Sequence, residues 1–429
     1  MSISESVNSI KATKQKLKNK LYNTGYDSSA TNNFDALVEM GFRDAPDFDA
    51  EWLAVKDLRT WTLEGGIGMI ISDFGDGWTS FIVDSSGQPY TVVVNDGTSD
   101  ISTTQYASGA TCDIDLGDGT GSTLRAVKIT SAGAITRFRV VRTANLSTST
   151  QAIPIEWWYG NLSTLTSMDS MFYSGTNVRC ILKRFDITDM GNVTNMFNTF
   201  TYCYCLRSMP AVMNTSKVTT MYRTWGYCYS LRNMPSVLNT SKVTTMYLTW
   251  VDCRSLRSIP AVLDTSKVNN MYQTWNGCYS LRSLPAVLDT SQVTTMYLTW
   301  NSCYSLRSLP AVLDVSKVTS AENITTNNLN LQRELLDFSA ATLLTKLSMD
   351  TAPGIKRVLV SSVAPFSGTS PQIQIINGGL SRTALVELFM SLPTVTGKTI
   401  DIKRNPGTAS LDAADIAIAT SKGWTVTTV

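Results

Sequence analysis

The stretch VTTMYRTWGYCYSLRNMPSVLNTSK occupies residues 218–242, and near-copies of it follow directly at 243–267, 268–292 and 293–317. The same register extends upstream to about Asn192, so a period of 25 residues governs the middle of the chain. One unit of this length has an apolar face and nothing of its own to cover it. We therefore predict that successive units stack into a solenoid with one continuous core, closed at its ends by atypical units.

Each unit divides into two kinds of local structure. Its apolar residues are spaced 3, 4, 3 and 3 apart, as in Val218, Met221, Trp225, Cys228 and Leu231. This spacing predicts a short helical segment with one buried face. The following LRNMPSVL is short and contains proline, which predicts an extended rung outside any central antiparallel ladder. Asn239 and its equivalents then predict a turn or cap.

The repeat resembles a known family. TSKVTTMYRTWGYCYSLRNM, from Thr215 to Met234, is similar to the BspA-like leucine-rich repeats of bacterial surface proteins, with Trp replacing their usual Met-Phe pair. The resemblance covers roughly residues 165–325, and Leu380 to Val429 resembles the closing unit of such arrays in Bacteroides and phage proteins. It implies an adhesin-like or recognition solenoid without catalytic residues.

One cysteine recurs in each unit, at Cys203, Cys228, Cys253, Cys278 and Cys303. Parallel Cβ vectors on stacked rungs fit the torsion of a disulfide poorly, and an odd column cannot pair completely. A zinc site is the alternative, but the chain has no histidine and this column has no CxxC partners. We predict buried, reduced thiols and no metal site.

Two further columns are nearly constant and are candidates for ligand binding. The first contains Tyr204, Tyr229, Tyr279 and Tyr304, with Arg254 in the third position; the second contains Arg207, Arg232, Arg257, Arg282 and Arg307. Aromatic rings suit sugars and guanidinium groups suit uronic acids or phosphates. The alternative is that arginine stacks on neighbouring tyrosine and covers the flank of the solenoid.

Some positions differ between the copies. They include Arg223, Leu248, Gln273 and Leu298, which occupy one column. Because stacking fixes core positions, this variation predicts exposure to solvent.

The N-terminal residues have a different pattern. Apolar residues lie at an a/d spacing at Ile3, Val7, Ile10, Leu17 and Leu21. They predict an amphipathic helix within residues 1–44, which either packs on its own chain or joins copies in a bundle. The continuation NTGYDSSATNNFDALVEMGF resembles the short leader of phage structural proteins, where it implies docking or oligomerisation. We expect a homo-oligomer, with a trimer among the states considered.

Residues 45–150 contain short β-rich segments such as WTSFIVD and YTVVVND, separated by Gly-rich turns. They predict an antiparallel sandwich and resemble PKD-type domains. The predicted fold class is mixed α/β: an N-terminal helix, an antiparallel β-sandwich, a leucine-rich-repeat solenoid and a C-terminal capping unit. The predicted domains are 1–44, 45–150, 151–325 and 326–429.

Asp113, Asp115 and Asp118 suit Asp-Gly turns better than a calcium loop, which would require a later Glu.

Composition restricts the function. The 429 residues include no histidine, which excludes Ser-His-Asp triads and His-ligated metals, and the net charge of +2 predicts no nucleic-acid partner. Two carboxylates could still hydrolyse a glycoside, but no distinctive pair is visible, so we expect no enzyme and no cofactor. Met1 to Tyr22 contains no secretory signal, and no apolar run predicts membrane insertion.

These observations favour a structural virion protein of a bacteriophage, a fibre or appendage made in the host cytoplasm. Its solenoid would recognise host-surface glycans or proteins, and its N-terminal region would bind other virion proteins. Two alternatives stay open at this point: a purely architectural head- or tail-decorating virion protein, and a bacterial cell-surface adhesin.

Overall fold

A computed structural model describes the chain over residues 66–74, 78–95, 100–115, 120–141, 152–153, 155–160, 163–173, 179–180, 182, 184–187 and 190–429. The predicted N-terminal helix lies outside the described residues. So do the five residues assigned to oligomerisation: Ile3, Val7, Ile10, Leu17 and Leu21.

The N-terminal described residues form two main sheets whose neighbouring strands are mostly antiparallel. Their strands are β1 (Gly66–Phe74), β2 (Trp78–Asp84), β3 (Tyr90–Asn95), β4 (Asp100–Tyr106), β5 (Thr111–Asp115), β6 (Thr120–Ser131), β7 (Arg137–Val141), β9 (Ile155–Gly160) and β11 (Arg184–Ile187), while β8 (Ala152–Ile153) and β10 (Arg179–Cys180) pair separately. The strand orders are β11-β9-β1-β6-β3-β4 and β5-β2-β7.

Alternation explains how these sheets bury a core. In β3, Tyr90, Val92 and Val94 are buried while the residues between them are half-buried, the period of two expected for a strand with one covered face. The two sheets meet where Phe138 of β7 packs against Trp158 of β9, with ring centroids 4.4 Å apart. Both rings are fully buried.

A column of parallel bridges then runs through the repeats, one residue per rung. It connects Arg137, Ser167, Asn195, Thr220, Thr245, Asn270, Thr295 and Ser320. The strands assigned within the array are short: β12 (Val212–Met213), β13 (Val237–Leu238) and β14 (Ser320–Ala321). The result is a β-solenoid of about eight turns of about 26 residues, which confirms the predicted stacking of repeats.

The predicted mixed α/β fold class is wrong, because the described residues are mostly strand and turn. Their α-helices are α1 (Arg382–Ser391) and α2 (Ala413–Thr420), both in the C-terminal segment. The predicted helical segment of each repeat is a series of turns. Arg223 and Tyr227 have φ of 52° and 61°, and a right-handed helix cannot pass through residues in the left-handed region.

Identical side chains stack in register inside the rungs. Trp225, Trp250, Trp275 and Trp300 are fully buried, and their neighbouring ring centroids lie 5.6, 5.8 and 6.2 Å apart with planes within 5°. Phe200 extends this column at its N-terminal end. Buried threonine hydroxyls connect the rungs as well, since Thr249 Oγ1 donates to the Met221 carbonyl at 2.8 Å.

The ladder continues into the C-terminal segment. β14 begins a parallel sheet of order β14-β16-β18-β19-β20, and a second pair joins β15 to β17. The bounds are β15 (Arg333–Phe338), β16 (Lys346–Asp350), β17 (Ile355–Val360), β18 (Ile373–Ile376), β19 (Lys398–Asp401) and β20 (Trp424–Thr427). Ser381 caps α1 and Asp412 caps α2 through backbone N–H groups. The domain boundaries at residues 44, 150 and 325 stay predictions.

Candidate functional site

The cysteine column lies in the core and binds backbone. The thiols of Cys228, Cys253, Cys278 and Cys303 each donate to a carbonyl one rung earlier, as Cys253 Sγ does to Trp225 O at 3.0 Å and Cys278 Sγ to Trp250 O at 3.0 Å. All five cysteines are fully buried, which confirms their predicted burial. Desolvation holds the pKa of Cys253 and Cys278 well above the usual range. These thiols are hydrogen-bonded core groups.

The first predicted binding column forms a continuous stack. The rings of Tyr204 and Tyr229 lie 4.9 Å apart, as do those of Tyr279 and Tyr304. The guanidinium of Arg254 lies between the pairs, 4.3 Å from the Tyr229 centroid and 5.5 Å from that of Tyr279. Ring faces inside the column are therefore covered by neighbouring rungs. A ligand would meet ring edges and hydroxyls, except at Tyr304, which is 40% exposed.

Burial also affects the chemistry of this column. It raises the pKa of Tyr229 to about 12, although the nearby Arg254 acts in the opposite direction. Because this phenol keeps its proton at neutral pH, it can donate a hydrogen bond as well as accept one.

The second predicted column lies on the surface. The side chains of Arg207, Arg232, Arg257, Arg282 and Arg307 are all exposed. Backbone bonds fix their spacing, because Arg232 N donates to Arg207 O at 2.8 Å and Arg282 N donates to Arg257 O at 3.1 Å. Parallel strands lie about 4.8 Å apart. The backbone thus repeats one arginine per rung along the solenoid.

Four of these arginines have no charged or aromatic partner in the described part of the chain. No ion pair or ring contact involves Arg232, Arg257, Arg282 or Arg307. The arginines that do lie over tyrosine rings are Arg223 and Arg254. Stacking of arginine on tyrosine, one of the two interpretations left open by the sequence, thus describes Arg254 and not Arg232, Arg257, Arg282 or Arg307.

A second tyrosine column was missed by sequence reasoning. Tyr222, Tyr247, Tyr272 and Tyr297 stack with centroids 4.6 to 4.7 Å apart and planes within 10°. They are half-buried, and burial together with neighbouring tyrosine raises the pKa of Tyr247. The signal was present, since a tyrosine follows the repeated methionine in each of these copies.

The prediction that variable positions are exposed is wrong. Arg223, Leu248, Gln273 and Leu298 are all half-buried. Arg223 donates to the Tyr202 hydroxyl at 2.7 Å and its guanidinium lies about 5 Å over two tyrosine rings. Variation between copies therefore reflects different local packing at these turns.

The array also matches a family. Residues 141–259 and 258–349 match the family described as Mycoplasma protein of unknown function, DUF285. The repeats are of the DUF285, BspA-like type. The match covers the rungs that carry both predicted binding columns, and it is compatible with surface recognition or adhesion. No curated protein and no solved structure matches the chain.

The DUF285 rungs carry one more exposed feature, an apolar row. Its members are Val212, Val237, Val262, Val287 and Val312, which are 56 to 80% exposed. The row ends at a hollow of about 210 Å³ lined partly by Val312, Arg333 and Asp337. Arg333 donates to the carbonyls of Pro310 and Ala311 beside this hollow.

The described residues also bear on other classes of site. Within that part of the chain, no cluster of three or more metal-binding side chains occurs. Nor does any described helix have the length and apolarity needed to cross a bilayer.

Proposed function

We propose that this protein is a structural component of a bacteriophage particle, a fibre or appendage, whose DUF285 solenoid binds host-surface glycans or proteins. The observation that carries the proposal is a regularly spaced row of exposed arginines, which have no acidic partner among the described residues: Arg232, Arg257, Arg282 and Arg307. Positions held by stacking are preorganised, which reduces the entropy lost when a ligand binds. The resemblance of the leader to phage structural proteins supports the virion context.

We propose binding rather than catalysis. The aspartates of the repeats are engaged in turns: Asp264 accepts hydrogen bonds from the backbone N–H and the hydroxyl of Ser266, which lower its pKa. Asp314 accepts from the Ser316 N–H, and its pKa is lowered too. A general acid needs a raised pKa, so these carboxylates suit structural roles.

Two measurements test the proposal. Mass spectrometry of purified particles should detect the protein, and deleting residues 1–44 should prevent its incorporation. The labelled full chain should bind host cells, and binding should fall when Tyr229, Arg232, Tyr279 and Arg282 are replaced by alanine. Particles that lack the protein would contradict the virion assignment. Unchanged cell binding by the alanine variant would contradict the assigned surface.

A bacterial surface adhesin is the second candidate, favoured by the similarity of the repeats to those of bacterial surface proteins. It predicts that antibody to the solenoid labels intact bacteria free of phage. A purely architectural virion protein predicts that particles contain the chain, while the isolated protein does not bind host cells.

A further inference from the structure

We infer that the arginine row, defined as Arg232, Arg257, Arg282 and Arg307, binds an extended anionic glycopolymer that lies along the solenoid axis and crosses the rungs. The inference rests on the proposed recognition function and adds the class of ligand and its direction. The shared chemistry is a linear chain of sugars or polyols bearing carboxylates or phosphates at regular intervals.

The first step is spacing. Rings of the neighbouring column, three residues before each arginine, repeat at 4.9 Å from Tyr204 to Tyr229 and again from Tyr279 to Tyr304. The arginine row thus extends about 15 Å over three such steps. A ligand with periodic charge can match this row only if it runs parallel to the solenoid axis.

The second step is charge. Like charges directly opposite one another on neighbouring strands are destabilising, and the row places four of them in succession without an acidic partner among the described residues. An anionic polymer would remove this repulsion at every rung. Guanidinium groups suit the purpose because they bind carboxylate or phosphate through two parallel hydrogen bonds.

The third step is a comparison with the other cationic column. Lys217, Lys242 and Lys267 are exposed too, but the fourth position is Gln292. Lys317 Nζ donates to the Gln292 side chain at 2.6 Å, so this column is interrupted and bound to its own neighbour. The arginine row has no interruption, although nearby positions differ between the copies.

The fourth step concerns the kind of polymer. Each of Ser258, Ser283 and Ser308 follows an arginine of the row and is exposed. Hydroxyls of this kind can donate to and accept from sugar hydroxyls. Single-stranded nucleic acid requires open aromatic faces for base stacking, and the faces of the adjacent tyrosine column are covered by neighbouring rungs. The surface therefore favours a glycopolymer over nucleic acid.

The experiment measures equilibrium binding of the full chain to labelled oligogalacturonides of two, four and eight sugars, to poly(glycerol phosphate), and to a neutral dextran oligomer. We expect the octamer to bind roughly tenfold more tightly than the dimer, salt to weaken binding, and dextran not to bind. The double variant Arg257→Gln/Arg282→Gln should weaken octamer binding by roughly tenfold or more. Tighter binding of one anionic polymer identifies carboxylate or phosphate as the natural group.

The matched control is Lys242→Gln/Lys267→Gln, which removes two exposed positive charges from neighbouring rungs. Its binding should stay close to that of the wild type. Four outcomes would each overturn the inference: an equal loss in both variants, no dependence on polymer length, equally tight binding to single-stranded DNA of the same charge, or no binding of either anionic polymer.

Host-cell binding separates the two proposals. If the wild type binds cells but not these polymers, only the ligand class fails; if it binds neither, both fail.

Discussion

The array of 25-residue repeats and the C-terminal segment that follows it share one parallel ladder but stabilise their rungs differently. The array has strands of two residues and relies on stacked rings and on side chains bonded to carbonyls of other rungs. The C-terminal segment has strands of four to six residues and two helices. Identical units can stack identical side chains, whereas dissimilar rungs depend on backbone pairing and on helices that cover the sheet.

The amino-acid composition also differs between the array and the C-terminal segment. The C-terminal segment contains neither tyrosine nor cysteine, whereas the array repeats both in most units. Perturbations aimed at rings and thiols should therefore separate the two regions.

The largest expected effect comes from breaking the tryptophan column. Trp275→Ala removes a fully buried ring stacked on both sides, and we expect a loss of about 3–5 kcal/mol in the free energy of unfolding. Because rungs contact mainly their neighbours, hydrogen exchange should accelerate most in the adjacent rungs and less in α1 and α2. Urea titration and site-resolved exchange measure both effects.

The matched control is Trp275→Phe. Phe200 already fills the column at one end, and the Trp275 Nε1 has no hydrogen-bond partner among the described residues, so this variant should lose much less stability. Equal acceleration of exchange in the array and in the C-terminal segment would contradict the division between them.

The second prediction is that alkali destabilises the array more than the C-terminal segment. Burial raises the pKa of Cys253, Cys278 and Tyr229 above the ordinary values of 9.0 for thiol and 10.0 for phenol. As the pH rises, the unfolded chain therefore loses these protons at a lower pH than the folded chain does. Their contribution to stability is complete below about pH 9 and is lost as the pH rises through the folded-state pKa values. Hydrogen exchange corrected for intrinsic rate at pH 7 and about pH 10.5 should show loss of protection in the array and not in the C-terminal segment.

A smaller effect is expected from one thiol. Cys278→Ala removes the hydrogen bond to the Trp250 carbonyl and should cost about 1–2 kcal/mol. Cys278→Ser keeps a donor at the same place and should cost less, as judged by the urea midpoint. A serine variant that is no more stable than the alanine variant would mean that the thiol acts only by filling space.

The smallest effect concerns the C-terminal segment. Arg382 pairs with Asp412 and Asp415 at 2.6 and 2.7 Å, but its side chain is 48% exposed. Solvent screens such exposed pairs, so Arg382→Gln should change the free energy of unfolding only slightly. A change in thermal midpoint as large as that of Trp275→Ala would mean that charged contacts, and not the sheet and helices, hold this segment.

The sequence predicted the stacking because the period is exact enough to align Met221, Trp225, Cys228 and Leu231 with their copies, and all four are fully buried. The same spacing misled the prediction of secondary structure. Turning rungs also bury every third or fourth residue, and the left-handed residues that turn the chain, such as Arg223 and Leu248, are not glycines. Nothing in their identity distinguishes them from helical residues.

The candidate site was predictable in part. Recurrence identified the columns containing Tyr229 and Arg232, but it could not tell whether ring faces would be open or covered, because that depends on the distance between rungs. Tyr222 recurs in the same way, but its column was not among the predicted binding sites. The proposed ligand class depends on which guanidinium groups have partners. Only the packing of the rungs determines that.

The two aromatic columns of the array have a mechanical consequence. Corresponding rings are 4.6 to 4.7 Å apart in the column of Tyr222 and 5.6 to 6.2 Å apart in the column of Trp225. Both columns nevertheless repeat once per rung, and each rung adds about 4.8 Å to the array. Gain or loss of one 25-residue unit would therefore change the length of the array by one such step and leave both columns in register. Copy number would then set how far the array extends.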